Sequence, residues 1–212
     1  MQGAIFDMDG LLIDSERIWQ SQWRAIAAER GITLPDSFPG EICGTAGART
    51  LEVLRLRFQT EDAQTVRDEC ARRVHKLEEN GVPLKPGARD ILTGLRAAGW
   101  RVAVASSSPM DMIRHNLSLD GIDGYFDALV SGQEVANGKP WPDIFLRAAE
   151  KLGLAPEECY VLEDSLSGVE AGWRAGCRTI MVPDLMQPTD EARARCFRIC
   201  RDLNEAWETM RA

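Results

Sequence analysis

After Pro86-Gly87 the chain alternates short apolar runs with stretches of helical periodicity, and few folds can absorb that order. Ile91, Leu92 and Leu95 mark a helix closed by Gly99, and residues 101–105 form a strand. A helix over 110–119 and a short strand over 125–130 come next, then a helix marked by Ile144, Phe145, Ala148 and Leu152. Residues 160–162 read as a strand, 165–175 as a helix and 179–182 as a strand. Strands separated by helices of this length make βαβ units and a parallel sheet. Residues 3–6 supply one more buried strand, but the alternation stops there, because residues 15 to about 80 carry helical patterns only. Ser15 reads as an N-cap; Trp19, Trp23, Ile26 and Ala27 follow at helical spacing, and Gly31 ends the helix. Leu51, Leu54 and Phe58 suggest a second helix. Val66, Cys70, Val74 and Leu77 suggest a third, with Thr60 near its start and Gly81 past its end. The expectation is an α/β core, residues 1–14 and 83–212, split by a helical insert, residues 15–82, with hinges near 12–16 and 80–86.

Formal net charge is −8 and the pI about 4.9. Such a surface repels nucleic acid and anionic lipid, and no Lys/Arg-rich run offsets it. It repels a phosphorylated small molecule too, so any phosphate chemistry needs a locally positive site or a metal. No apolar run approaches the ~18 residues of a membrane span. The strand-like start at Gly3 suggests no signal peptide, and the expected location is cytoplasmic. The six cysteines, Cys43, Cys70, Cys159, Cys177, Cys196 and Cys200, contain no CxxC pair, and only His75 and His115 could join them as ligands. Free thiols in a reducing compartment are expected, rather than zinc or disulfides.

In open parallel sheets, ligands bind beyond the carboxyl ends of the strands. Four expected strand ends carry groups capable of chemistry: Asp7-Met8-Asp9-Gly10, Ser106-Ser107-Ser108, Gly138-Lys139-Pro140 and Glu163-Asp164. Asp7 and Asp9 are two apart and point the same way in an extended backbone. Their repulsion at 4 Å is roughly 4 kcal/mol at an effective dielectric of 20. A hard divalent cation relieves it, and Mg²⁺ commonly takes one or two carboxylates plus phosphate oxygens. A hydroxyl and backbone N–H groups at Ser106 and Ser107 can bind phosphate oxygens. Each feature alone has an ordinary reading: a solvated turn, a cap serine ahead of Pro109, a solvated lysine. The chemical reading rests on all four occurring at the proper strand ends in order.

That set closely resembles the haloacid-dehalogenase-like superfamily, in its phosphatase/phosphomutase branch with a helical cap. Asp7-Met8-Asp9-Gly10-Leu11-Leu12-Ile13-Asp14-Ser15-Glu16 matches the first motif, Ser106 the second, Lys139 the third, and Glu163-Asp164-Ser165 with Gly168 the fourth. The resemblance implies a Rossmann-like parallel sheet with an inserted cap. It implies that Asp7 is a nucleophile forming an aspartyl-phosphate, and that Asp9 is general acid and then base. Mg²⁺ would be held by Asp7, Asp164, the Asp9 carbonyl and Glu163, the last directly or through water. Ser106 and Lys139 would hold the transferring phosphoryl group. The implied partner is a small phosphate ester.

Within that resemblance, β-phosphoglucomutase-like enzymes carry a cap histidine where this chain has Trp19. A tryptophan in this context instead resembles sugar-phosphate phosphatases acting on 2-deoxyglucose 6-phosphate or hexitol phosphates. Dehalogenases lack the second aspartate, which Asp9 supplies. A phospho-receiver module also combines acids, a hydroxyl and a lysine, but its acceptor lies on a middle strand and it has no such insert. Cap residues expected to face the substrate are Trp19, Trp23, Arg49, His75 and Lys76, with Arg49 following a flexible loop over 44–48.

Overall fold

The computed structural model describes residues 2–43, 45, 47–79 and 81–212. Its centre is a six-stranded parallel sheet in the order β3-β2-β1-β4-β5-β6, where β1 is Gly3–Phe6, β2 Arg101–Ser106, β3 Ala128–Ser131, β4 Cys159–Glu163, β5 Arg178–Met181 and β6 Arg198–Ile199. β1 runs between β2 and β4, with Phe6 level with Val104 and Leu162. Its four residues are all buried, as expected of a strand covered on both faces.

The twofold strand periodicity sorts side chains to the two faces. Ala4, Phe6, Val102, Val104, Tyr160 and Leu162 join one core, against α5 (Ala88–Ala97), α6 (Met110–Leu119) and α10 (Leu203–Arg211). Ile5, Ala103, Ala105, Cys159 and Val161 join the other, against α7 (Asp143–Leu152) and α8 (Leu166–Arg174). The chain moves outward from β1 through β2 to β3, then crosses back to β4. That reversal opens a crevice at the carboxyl ends of β1, β2 and β4.

Between β1 and β2 lie α1 (Ser15–Glu29), α2 (Phe38–Ile42), α3 (Gly47–Phe58) and α4 (Ala63–Glu78). They close on an apolar cluster of their own, including Trp23, Ile26, Phe38, Leu54, Phe58, Val66, Cys70 and Val74. The two connections to the sheet are laced together. Asp14 N–H donates to the Pro83 carbonyl (2.8 Å), Lys85 N–H to the Leu12 carbonyl (2.8 Å), and the Lys85 ammonium pairs with Asp184 (2.7 Å).

Some local expectations are corrected. Ser15 is the first helical residue and not the cap, a place taken by Asp14 without a side-chain capping bond. Asp62 caps α4 by accepting from Thr65 N–H, and Thr60 in turn accepts from Asp62 N–H. Leu77 is exposed and Glu78 is buried in its stead. The strand expected over 125–130 starts at Ala128, because residues 123–125 wind into a 3₁₀ turn. β6, α9 (Asp190–Arg195) and α10 lie beyond the last element read from sequence; two residues of β6 are too few for a period to register. All six cysteines are free thiols. Among the described residues no helix is long and apolar enough to cross a membrane.

Candidate active site

The crevice gathers its groups from the carboxyl ends of β1, β2 and β4 and from the loop before α7, where Lys139 lies eight residues beyond β3 and not, as expected, directly at a strand end. Asp7 leaves β1 still tied to the sheet, its N–H donating to the Leu162 carbonyl (3.0 Å). Gly10 then turns at φ +83°, and a Cβ there would stand 2.5 Å from Asp164 Oδ2. Only glycine both adopts that angle freely and lets the Asp164 carboxylate approach the Asp9–Gly10 backbone.

Asp9 is held by hydroxyls. Its Oδ1 accepts from Ser15 (3.0 Å), and its Oδ2 from Ser106 (3.1 Å) and Ser108 (2.8 Å). Ser106 ends β2 fully buried, and its oxygen also accepts from Ser108 N–H (3.0 Å), which curls the serine run around Asp9. Ser107 is exposed at the rim of this curl.

Lys139 reaches in from the loop before α7. Its ammonium donates to Asp7 Oδ1 and to Glu163 Oε1 (2.6 Å), and lies 5.1 Å from the centre of the Phe145 ring. Glu163 is fully buried; its Oε2 accepts from Ser165 N–H (3.0 Å) and Oγ (2.9 Å), and Ser165 accepts from Gly168 N–H (3.0 Å) as the cap of α8. A Cβ on Gly168 would stand 1.8 Å from Glu163 Oε1, so this glycine makes room for the carboxylate.

The site is crowded with negative charge. Burial pushes the Asp7 carboxyl up to about 8; Lys139 opposes this, while Glu163 and Asp9 add to it. Burial, then Glu163, Asp7 and Glu16, lift Asp164 well above the usual carboxylate range. Burial works against the charge of Lys139, but Asp7 and Glu163 more than offset it and hold the ammonium charged. One lysine thus answers Asp7 and Glu163, and among the described residues Asp164 has no cation of its own in hydrogen-bond contact. Hard oxygen donors with surplus negative charge suit Mg²⁺, which binds through one or two carboxylates and keeps several waters. Asp7, Asp164 and the Asp9 carbonyl are the groups that would hold it. Among the described residues no three acidic, imidazole or thiol groups stand clustered as a metal site. Both oxygens of Glu163 are taken by Lys139 and Ser165.

The structure therefore brings together Asp7, Asp9, Ser106, Lys139, Glu163 and Asp164. Ser15 and Ser108, quoted in the sequence only as parts of the first motif and of the serine run, also bind Asp9. Ser108 was legible as a second hydroxyl two residues after Ser106, whereas Ser15 was hidden by its suitability as a cap. The helical insert divides differently. Trp19 is half-buried against Trp23 (ring centroids 5.9 Å apart), and Trp23 is buried between Phe38 and Phe58, inside the insert's own core. Arg49 lies in the first turn of α3, exposed and paired with Glu52 (2.7 Å); Gly47 and Ala48 of the loop expected before it already belong to that helix, and Gly44 and Ala46 lie outside the described residues. His75 and Lys76 are exposed on α4.

The family model described as haloacid dehalogenase-like hydrolase matches residues 4–182. Hexitol phosphatase B of Escherichia coli (strain K12) is 36% identical, with 85% of this chain and 82% of that protein covered. A phosphorylated carbohydrates phosphatase of Thermotoga maritima is 33% identical over 85% of this chain and 84% of its own length. A hydrolase of Deinococcus radiodurans R1, solved with bound phosphate and sodium, superposes with a TM-score of 0.82 at 28% identity, covering 99% of this chain and 95% of that one. With these motifs, this sheet order and these relatives, the chain belongs to the haloacid dehalogenase-like hydrolase family.

Proposed function

We propose that this hydrolase cleaves a small phosphate monoester, a sugar or polyol phosphate, by way of an aspartyl-phosphate on Asp7. The observation that carries the reading is the meeting of Asp7, Asp9, Ser106 and Lys139 at one crevice, with Asp9 gripped by three hydroxyls. The relatives named for hexitol and carbohydrate phosphates support the substrate class. The helices over 15–82 act as a cap that covers the leaving group and excludes water.

In this mechanism Asp7 attacks phosphorus, the P–O bond to the leaving group breaks, and Asp9 delivers a proton to the departing oxygen. Asp9, now a carboxylate, then takes a proton from the water that attacks the phosphoaspartate. Ser15 and Ser108 fix Asp9 for both transfers. Lys139, oriented by Glu163, and Ser106 hold the equatorial phosphoryl oxygens, where charge gathers in the transition state. Mg²⁺ bound by Asp7, Asp164 and the Asp9 carbonyl would mask the repulsion between an anionic nucleophile and an anionic ester. A phosphate-release screen with Mg²⁺ across sugar, polyol and nucleoside monophosphates tests the proposal. Preferred release from a hexose or hexitol phosphate is expected; no release from any monoester would overturn it.

A further inference from the structure

The buried stripe of α4 runs Val66, Cys70, Val74 and then Glu78, each four residues after the last and therefore on one face. A carboxylate stands where the pattern calls for an apolar residue. Glu78 is 3% exposed, and its Oε2 has no hydrogen-bond partner among the described residues. It closes a helix, where the free carbonyls make the end negative and an anion is disfavoured. The charge whose field reaches it is Asp9, also acidic, so burial first and Asp9 second push its carboxyl up to about 7. A buried polar group left without a partner costs about 1–3 kcal/mol. Such a group in a native fold calls for an explanation, and a ligand is one.

The position supplies the ligand's direction. α4 ends just before the second connection to the sheet, which pairs with the first connection at Asp14–Pro83 and Leu12–Lys85. Glu78 thus sits on the insert's side of the crevice, within electrostatic range of Asp9. Gln20 of α1 repeats the situation: it is 8% exposed and its Oε1 is also unpartnered. Its amide N–H donates to Cys43 Sγ (3.3 Å), whose thiol donates to Glu16 Oε2 (3.2 Å). Two buried acceptors without donors match a ligand whose polar groups donate, as hydroxyls do. The phosphoryl group, an acceptor, belongs at Lys139, which donates to Asp7.

We propose that Glu78 determines specificity by accepting a hydrogen bond from a hydroxyl of a polyhydroxy leaving group. This rests on the phosphatase reading above. The test compares wild type, Glu78→Gln and Glu78→Leu on a hexitol phosphate and on p-nitrophenyl phosphate, which has no hydroxyl to offer. Both variants should lower kcat/KM for the hexitol phosphate about tenfold or more, the range for a hydrogen bond to a charged group. Activity on p-nitrophenyl phosphate should stay within about twofold, and Glu78→Leu should melt no earlier than wild type, since no native bond is lost. Parallel losses on both esters, an earlier melting Glu78→Leu, or undiminished hexitol phosphate turnover would overturn the role of Glu78 and leave the phosphatase reading standing. A wild type that cleaves p-nitrophenyl phosphate and no polyhydroxy ester would overturn the substrate class, and the role of Glu78 with it.

Discussion

Asp7 and Asp9 are the same residue type two positions apart, yet their surroundings differ. Asp7 faces Lys139 and is sealed from water; Asp9 faces three serine hydroxyls. Asp7→Asn keeps the shape and removes the nucleophile, so turnover should fall below about 1% while the melting temperature holds or rises, given the acidic crowding around Asp7. A purified variant that keeps a tenth of wild-type activity would exclude Asp7 as nucleophile. Asp9→Asn should separate substrates by leaving group. An alkyl phosphate, which needs a proton on its departing oxygen, should lose about 100-fold or more in the phosphorylation step. p-Nitrophenolate leaves unaided, and its phosphorylation step should lose far less. Rapid-quench measurement of that step for the two esters decides the matter, and equal losses would rule out the acid role.

The elements explain both what the sequence disclosed and what it hid. The strands that carry the site were readable because β1, β2 and β4 are continuous apolar runs that stop at a polar group, as strands covered on both faces do. Helices of the insert were readable by period, but their rotation was not. Leu77 and Glu78 fit the stripe at i+3 and i+4 of Val74 equally well, and packing chose the acid for the interior. Trp23 shows the opposite limit. Spacing places it on one face of α1, but only the presence of Phe38 and Phe58 across from it sends it into the insert's core rather than to the crevice. Gly168 was part of a motif whose reason is steric: α8 crosses so close to Glu163 that no side chain fits. Gly168→Ala must therefore displace Glu163 and loosen Lys139. The overpacking should destabilise by about 1–3 kcal/mol, and kcat should fall at least tenfold. Thermal melting and steady-state kinetics on one preparation would show it, and an alanine variant with unchanged kcat would show that Glu163 does not position Lys139.

Across the whole molecule, negative charge governs how the fold responds to pH and to cations. The chain carries a net −8 and packs Asp7 and Glu163 on a single ammonium, with Asp164 close enough to feel both carboxylates. In the folded, metal-free protein burial raises the Asp7 carboxyl from its ordinary 3.8 to about 8, and Asp164 is shifted in the same direction. Between those limits the folded chain binds more protons than the unfolded one, so stability is full below pH 4 as far as these two groups go and declines as the pH climbs towards 8. The loss is on the order of a few kcal/mol, since each unit of displacement is worth about 1.4 kcal/mol. Glu78, raised to about 7 by burial and Asp9, contributes in the same sense over a narrower window. A divalent cation competes with these protons. It should bind weakly at pH 5, where the carboxyls hold their protons, and strongly at pH 8, adding about 2.7 kcal/mol when present at 100 times its dissociation constant. The melting temperature of EDTA-treated protein should therefore fall from pH 5 to pH 8, and Mg²⁺ should restore most of the loss at pH 8 while doing little at pH 5. Asp164→Asn removes one of the upshifted carboxyls, so its metal-free melting temperature should vary less with pH and respond less to Mg²⁺. A metal-free melting temperature flat across this range, or an equal Mg²⁺ effect at both ends of it, would show that the crowded carboxylates are not where the cation binds.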